Sequence, residues 1–237
     1  MIPVFVGFDP REAAAYHVFC QSVIERSTVP VQFIPLHRPM LSDFDGQRDG
    51  TNAFIFSRFL VPSLMGFDNR WAAFFDGDML MRQDIAELWK LREPTKALMV
   101  VPHDYKTRHP HKYIGTPLES ANVDYPKKNQ SSVMLWNCGH YSNRLLTRQF
   151  VKEAPGHFLH RFEWLRESQI GALPAEWNKL VREQAVSEAD CLRHHTLGSP
   201  GIEHYAADDP EWHSTLLAAL RIEGQNPADM VRRALWQ

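Results

Sequence analysis

The run Trp71-Ala72-Ala73-Phe74-Phe75 is continuously apolar and then meets two carboxylates, Asp76 and Asp78, separated only by Gly77. A short unbroken apolar run of this kind reads as a buried strand, and in open α/β sheets ligands sit beyond the carboxyl ends of the strands. Two carboxylates one residue apart can both approach one divalent cation there, and a small middle residue lets the backbone turn tightly. Hard oxygen ligands suit Mn²⁺ or Mg²⁺, which keep waters and bridge to substrate phosphates. The same triplet also fits a solvated turn that caps a helix, so the surrounding chain has to decide between the two.

The opening of the chain supports an α/β domain. Pro3 to Phe8 reads as a strand ending at Asp9-Pro10, and Tyr16, Phe19, Cys20, Val23 and Ile24 recur at helical spacing. That helix is expected to start near Glu12 and end before Pro30, with a second strand over Val31 to Leu36. Strand, helix and strand in this order predict a largely parallel sheet. Residues 37–52 are polar and glycine-containing, and read as a loop bordering a site. Phe54 to Leu64 looks helical; Ile85, Leu88 and Trp89 mark a further helix, and Ala97 to Val101 a further strand. Residues 103–128, rich in His, Pro, Lys and Tyr, read as a long, solvated surface excursion, followed by a strand over Ser132 to Trp136. From Leu145 onward the chain is mainly helical in flavour, and a last helix is expected from Asn226-Pro227.

Composition narrows the classes. The 237 residues are 44% hydrophobic and 23% charged, which suits one globular domain with a sizeable core. With 26 basic against 28 acidic residues, the chain lacks the basic excess of a protein that tracks nucleic acid, so no nucleic-acid partner is expected. Cys20, Cys138 and Cys191 form no CxxC pair, which predicts reducing, cytoplasmic surroundings. The first residues lack the charged and long apolar regions of a signal peptide, and no stretch approaches the roughly 18 apolar residues of a transmembrane helix. Arg221, Arg232 and Arg233 beside the C-terminal apolar stripe leave peripheral membrane contact open.

Ser57-Arg58-Phe59-Leu60-Val61-Pro62, Phe74-Phe75-Asp76-Gly77-Asp78 and Asp84-Ile85-Ala86-Glu87-Leu88-Trp89 together resemble the family 8 glycosyltransferases, glycogenin-like and lipopolysaccharide-galactosyltransferase-like enzymes of GT-A fold. Val4 to Asp9 is similar to that family's nucleotide-binding first strand, and Ser132 to Asn137 to its central strand. His195-Thr196-Leu197-Gly198 is similar to its HxxG metal-binding turn, and Leu173-Pro174-Ala175-Glu176-Trp177-Asn178 to its LPxxWN stretch. The resemblance runs over residues 2–201.

It implies a GT-A type, Rossmann-like nucleotide-diphospho-sugar transferase fold: α/β, with a mixed, mostly parallel sheet flanked by helices. Residues 1–205 would form this domain and 206–237 a helical extension packed on it. The implied activity is metal-dependent transfer of a hexosyl group from a nucleoside-diphosphate sugar, by family habit a UDP-sugar, to a hydroxyl acceptor such as a saccharide, with retention. Asp76, Asp78 and His195 would bind Mn²⁺ (or Mg²⁺). Gly7, Phe8 and Asp9 would face the base, Arg58 and Gly77 the donor, and Gly198 would let the backbone approach the diphosphate. Glu167 is similar in place to the family acid that hydrogen-bonds the sugar, and Gln169 lies next to the position of the glutamine beside it.

The chain also departs from the family pattern. After Gly198 it reads Ser199-Pro200-Gly201, without the family's lysine and tryptophan, so one phosphate contact is missing or supplied from elsewhere. That departure motivates an alternative, a nucleotide-sugar-binding protein without turnover. A HAD-type phosphatase also ends a strand in DxD, but on the first strand of its core, whereas here at least two strands come earlier.

Overall fold

The computed structural model describes residues 1–37 and 52–221. The loop expected over 37–52, apart from its two end residues, and the helix expected from Asn226 lie outside the described residues.

Strands β1 (Ile2–Gly7) and β2 (Val31–Leu36) flank helix α1 (Ala13–Arg26), as the opening pattern predicts. A short 3-10 turn, Ser57–Leu60, leads into α2 (Val61–Leu64), where one longer helix was expected; Pro62 stands at its first turn. Strands β3 (Trp71–Phe75) and β4 (Met79–Met81) enclose the acidic triplet and precede α3 (Ile85–Lys90) and β5 (Leu98–Val100). The excursion carries a small hairpin, β6 (His111–Lys112) and β7 (Ser120–Ala121), before β8 (Val133–Asn137). Helices α4 (Arg148–Glu153) and α5 (Gly156–His160) are followed by strands β9 (Ile170–Ala172), β10 (Lys179–Leu180) and β11 (Leu192–His194), and then by α6 (Pro210–Ala219). The largely helical reading beyond Leu145 therefore missed three strands. Two or three residues are too few to display a period of two.

The main sheet runs β2-β1-β3-β8-β5-β9. It is mixed and mostly parallel: β8 alone lies antiparallel, to both β3 and β5. Alternation sorts its residues between two cores. Val4, Val6, Ala73, Phe75, Val133 and Leu135 face α1 and α3, meeting Phe19, Val23, Ile85 and Leu88. Phe5, Phe74, Met134 and Trp136 face the other way, against Phe59, Leu60, Val151 and Leu159. Both faces are covered, which is why β3 reads as an unbroken apolar run.

This register gathers the site. Val6 lies opposite Phe75, so residues 8–9 and 76–78 leave the sheet at the same edge. Val133 lies opposite Phe75 from the antiparallel side, so residues 129–132 enter there, with the Asp76 amide donating to the Ser132 carbonyl at 3.0 Å. A second sheet, β10-β11-β4, then places His194 opposite Met79, immediately after the triplet.

The excursion is less solvated than its composition predicts. Tyr113, Asn122 and Lys128 are buried in it. Glu183, itself buried, accepts from the Thr107 hydroxyl, from the Arg108 amide (2.9 Å) and from Asn122 Nδ2 (3.2 Å). Helix α6 buries Trp212 against Val18 and Leu80, and its Glu211 bridges Arg26 (2.7 Å) and Arg82 (2.8 Å). No helix among the described residues is long and apolar enough to cross a membrane.

Candidate metal and donor site

Asp76 and Asp78 are both buried at the end of β3. Gly77 is dictated by packing: a Cβ there would lie 2.5 Å from the Gly7 carbonyl oxygen. Arg58 holds Asp76 from the far side, its Nη1 2.9 Å from Asp76 Oδ1 and donating to the Ser131 carbonyl at 3.0 Å. Its guanidinium lies over both the Phe54 and the Phe74 rings, 5.2 Å from each centroid. Cation–π attraction and the ion pair together fix this buried cation.

The third group of the cluster is His194. Its Nε2 is 3.4 Å from Asp78 Oδ1 and 4.0 Å from Asp76 Oδ2, and one ligand atom from each of the three residues lies within 4.8 Å of the others. Asn178 sets the imidazole. Its amide nitrogen donates to the Asn129 carbonyl (3.1 Å) and Ser132 Oγ (3.0 Å), so its oxygen faces His194 Nδ1 at 3.0 Å and accepts from it. The protonated Nδ1, assigned from these partners, leaves Nε2 as the bare nitrogen aimed at the carboxylates, an arrangement usual for a metal-ligating histidine.

His195, expected as the third ligand, points away. Its Nε2 lies 3.3 Å from Asp209 Oδ2 and its Nδ1 3.2 Å from the Asp78 carbonyl. Successive side chains of a strand alternate, so the last residue of β11 and the one after it cannot both face the triplet. Parity was the available signal: Leu192, a core residue, and His194 are two apart and share a face.

The cluster fits a divalent cation. Asp78 Oδ1 is buried without a hydrogen-bond donor, and Asp76 Oδ1 is met by Arg58 alone, in an ion pair. Buried carboxylate oxygens without donors are costly unless a cation satisfies them. Burial pushes Asp76 up to about 6 against the pull of Arg58. Burial would raise Asp78 too, but the His194 imidazole, when it carries both ring protons in the absence of a cation, more than offsets this and holds Asp78 below the usual range. Behind the triplet, burial and the charges of Asp78 and Asp9 push Glu12 up to about 8.

A pocket opens over the cluster, walled by Arg58, Lys112, Tyr113, Tyr125, Asn129 and Thr196. The sequence reading missed Lys112, Tyr113 and Asn129, which sit on the excursion and the turn after it. Tyr113 and Asn129 adopt left-handed backbone, φ 57° and 61°, uncommon for residues with side chains and a sign of a backbone held by its surroundings.

Asp9 is buried and tied inward, accepting from the Arg11 amide (3.0 Å) and side chain (2.9 Å) and from the Ala53 amide (3.0 Å). The space at Gly7 is filled by the Phe54 ring, and Phe8 packs edge-on against Tyr16 and His37. Gly198 has φ +145°, and a Cβ on it would meet the Tyr205 ring at 2.4 Å. Glu167 and Gln169 do not line the pocket. Glu167 is 81% exposed and pairs with Lys127 at 2.6 Å. Gln169 donates to Tyr141 Oη and Ser142 Oγ, both at 2.8 Å, and accepts from the Arg166 amide. Both belong to a 3-10 turn leading into β9, at the opposite side of the sheet from β1 and β2.

His194→Ala is expected to weaken Mn²⁺ binding by at least about tenfold, and His195→Ala by less, measured from the free Mn²⁺ signal in electron paramagnetic resonance. Equal losses would remove the distinction between the two histidines.

No protein-family model matches the chain. Among curated proteins, Protein CDI of Arabidopsis thaliana is 39% identical over 217 residues, 84% of this chain and 79% of that protein. Among solved structures the chain is similar to the apo WbbM bifunctional glycosyltransferase, with TM-score 0.61 and 12% identity over 98% of this chain and 51% of that one. It is similar to the galactosyltransferase LgtC in complex with donor and acceptor sugar analogs, with TM-score 0.55 and 11% identity over 94% and 98%. Mouse xyloside xylosyltransferase 1 gives TM-score 0.51 and 13% identity over 83% and 99%. The chain thus spans about half the WbbM chain. At these identities the structures speak for the fold, which is that of the GT-A nucleotide-sugar transferases.

Proposed function

The chain belongs to the family of Protein CDI, and from its fold and its cation cradle we propose that it is a metal-dependent glycosyltransferase of the family 8 type. The reaction is transfer of a hexosyl group from a nucleoside-diphosphate sugar, a UDP-sugar by preference, to a hydroxyl acceptor, with retention. The observation that carries the reading is the convergence of Asp76, Asp78 and His194 at the edge where β1 and β3 end, with Asp78 Oδ1 buried and lacking a hydrogen-bond donor.

Asp76, Asp78 and His194 would hold Mn²⁺ or Mg²⁺. Such a cation supplies neutralisation of charge on the departing diphosphate, acting as Lewis acid and template. Arg58 fixes the orientation of Asp76, and Asn178 that of His194. Gly77 packs against the Gly7 carbonyl and Gly198 against the Tyr205 ring, so both set the backbone around the pocket, while Gly7, Phe8 and Asp9 shape the end of β1 where the base would lie. Glu167 and Gln169 stand outside the pocket and carry no part of the proposed step. Three cysteines without a disulfide suit a reducing compartment.

The position of Glu167 and Gln169 favours one second reading, a protein that binds the donor without turning it over. Thermal denaturation with UDP or GDP, with and without Mn²⁺, tests the shared premise. A nucleotide at ~100 times its dissociation constant adds about 2.7 kcal/mol of stability. The expected result is a shift that needs both metal and one nucleotide. Release of UDP from a UDP-hexose then separates enzyme from binder. Indifference to every combination of metal and nucleoside diphosphate removes both.

A further inference from the structure

Lys112 is the last residue of β6 and stands in the wall of the pocket that holds Asp76, Asp78, Arg58 and His194. The backbone that delivers it is clamped on two sides. The Tyr113 amide, on a left-handed residue, donates to the Leu197 carbonyl at 2.6 Å, and the Ile114 amide donates to Tyr205 Oη at 3.2 Å. On the other side, Glu183 and Asn122 knit residues 107–109 together, and Lys128 donates to Asn122 Oδ1 at 2.6 Å. A bulky residue held at positive φ persists where its surroundings over-determine it. The hairpin is thus pressed against the segment that runs into Gly198, and the turn beyond Gly198, Ser199-Pro200-Gly201-Ile202, carries no cationic residue.

We propose that Lys112 is the phosphate-gripping cation of this site: its ammonium contacts the diphosphate of the donor, from the excursion rather than from the turn after Gly198. This rests on the reading of the site as a nucleotide-sugar site. Charge balance carries it. Among the described residues two carboxylates line the pocket, against Arg58, Lys112 and one divalent cation, leaving two net positive charges. A nucleoside-diphosphate sugar carries two negative charges on its diphosphate. Without Lys112 the pocket falls one charge short. Burial disfavours the charged form of Lys112, Asp78 and Asp76 support it and Lys128 and Arg58 oppose it, so its ammonium lies in the shared field of the carboxylates and the neighbouring cations. A lysine suits the task as a point charge that can follow a phosphate oxygen.

The test uses Mn²⁺ with inorganic pyrophosphate, which has the phosphates without base or sugar, on the full chain, and two variants. Lys112→Met keeps the apolar stem and removes the charge; Lys112→Arg keeps the charge. Calorimetry should show wild type binding Mn²⁺ and then pyrophosphate. Lys112→Met should weaken the second step by roughly ten- to a hundredfold, the size of one charged hydrogen bond, and leave Mn²⁺ binding unweakened. Lys112→Arg should retain most of the pyrophosphate affinity. If Lys112→Met unfolds, Lys112→Gln carries the same comparison. Equal pyrophosphate binding by wild type and the neutral variant overturns the assignment while leaving the proposed function standing. Loss of Mn²⁺ binding along with pyrophosphate also overturns it, since Lys112 would then build the cradle. A wild type that takes up neither Mn²⁺ nor Mn²⁺–pyrophosphate removes the nucleotide-sugar reading itself, and Lys112's role with it.

Discussion

Asp78→Ala is expected to lower sugar transfer by at least about a hundredfold at saturating Mn²⁺. A cation opposite a departing diphosphate contributes several kcal/mol to transition-state stabilisation, and each ~1.4 kcal/mol is tenfold in rate. Asp78 is the carboxylate closer to His194, at 3.4 Å, and its Oδ1 lacks a hydrogen-bond donor, so its removal takes away the centre of the ligand set. Its backbone carbonyl, which accepts from the His195 amide at 2.9 Å, survives the substitution and keeps β4 and β11 in register. Melting in EDTA should therefore stay cooperative, while the stabilisation by Mn²⁺ disappears. Turnover near the wild-type value would sink the metal assignment.

The triplet was legible because two different physical demands meet there. Both faces of β3 are covered, which removes the polar alternation, and the strand then ends among groups suited to a cation. The first two strands and α1 were legible for a related reason: each is long enough to display its period. Register was not. The sequence places His194 and His195 side by side; parity with Leu192 sorts them onto opposite faces, and the pairing of His194 with Met79 in a three-residue strand decides which face meets the carboxylates. A one-residue slip in a strand turns every side chain to the other face, and the histidines report that rule directly.

The excursion was misjudged from composition. Its His, Pro, Lys and Tyr are residues usually left in water, yet Tyr113 and Lys128 are buried and Lys112 lines the pocket. What draws them in is non-local: the Glu183 carboxylate, far along the chain, supplies the acceptors that let this polar stretch fold back. No local pattern announces a partner 75 residues away. Glu167 and Gln169 show the converse. Their place along the chain matched a family position, while their side chains turn to Lys127 and to Tyr141 and Ser142.

Arg58→Met is expected to destabilise the metal-free protein by about 3–5 kcal/mol, the cost of leaving one buried charge without its partner. For a chain of this size that is a fall of roughly 6–20 °C in melting temperature. Arg58 is 4% exposed, and its loss strands the Asp76 carboxylate and the Ser131 carbonyl together. Methionine keeps an apolar chain against Phe54 and Phe74, so packing is largely retained and the charge is what goes. Asp76 can escape the cost by taking a proton. Already pushed up to about 6 by burial with Arg58 in place, it must rise further once that guanidinium is gone. A carboxyl whose folded pKa lies above its unfolded value favours folding fully at low pH and loses that contribution as pH climbs through the folded pKa. The deficit of Arg58→Met in EDTA should accordingly grow from pH 6 to pH 8. Mn²⁺ supplies the missing positive charge and should recover part of it. Asp76→Asn in the same chain removes the stranded carboxylate, so the double variant should melt above Arg58→Met alone, a coupling measured by the double-mutant cycle. A deficit indifferent to pH, to Mn²⁺ and to Asp76→Asn would mean that Arg58 serves only to fill space against two rings, and that Asp76 is oriented by something else.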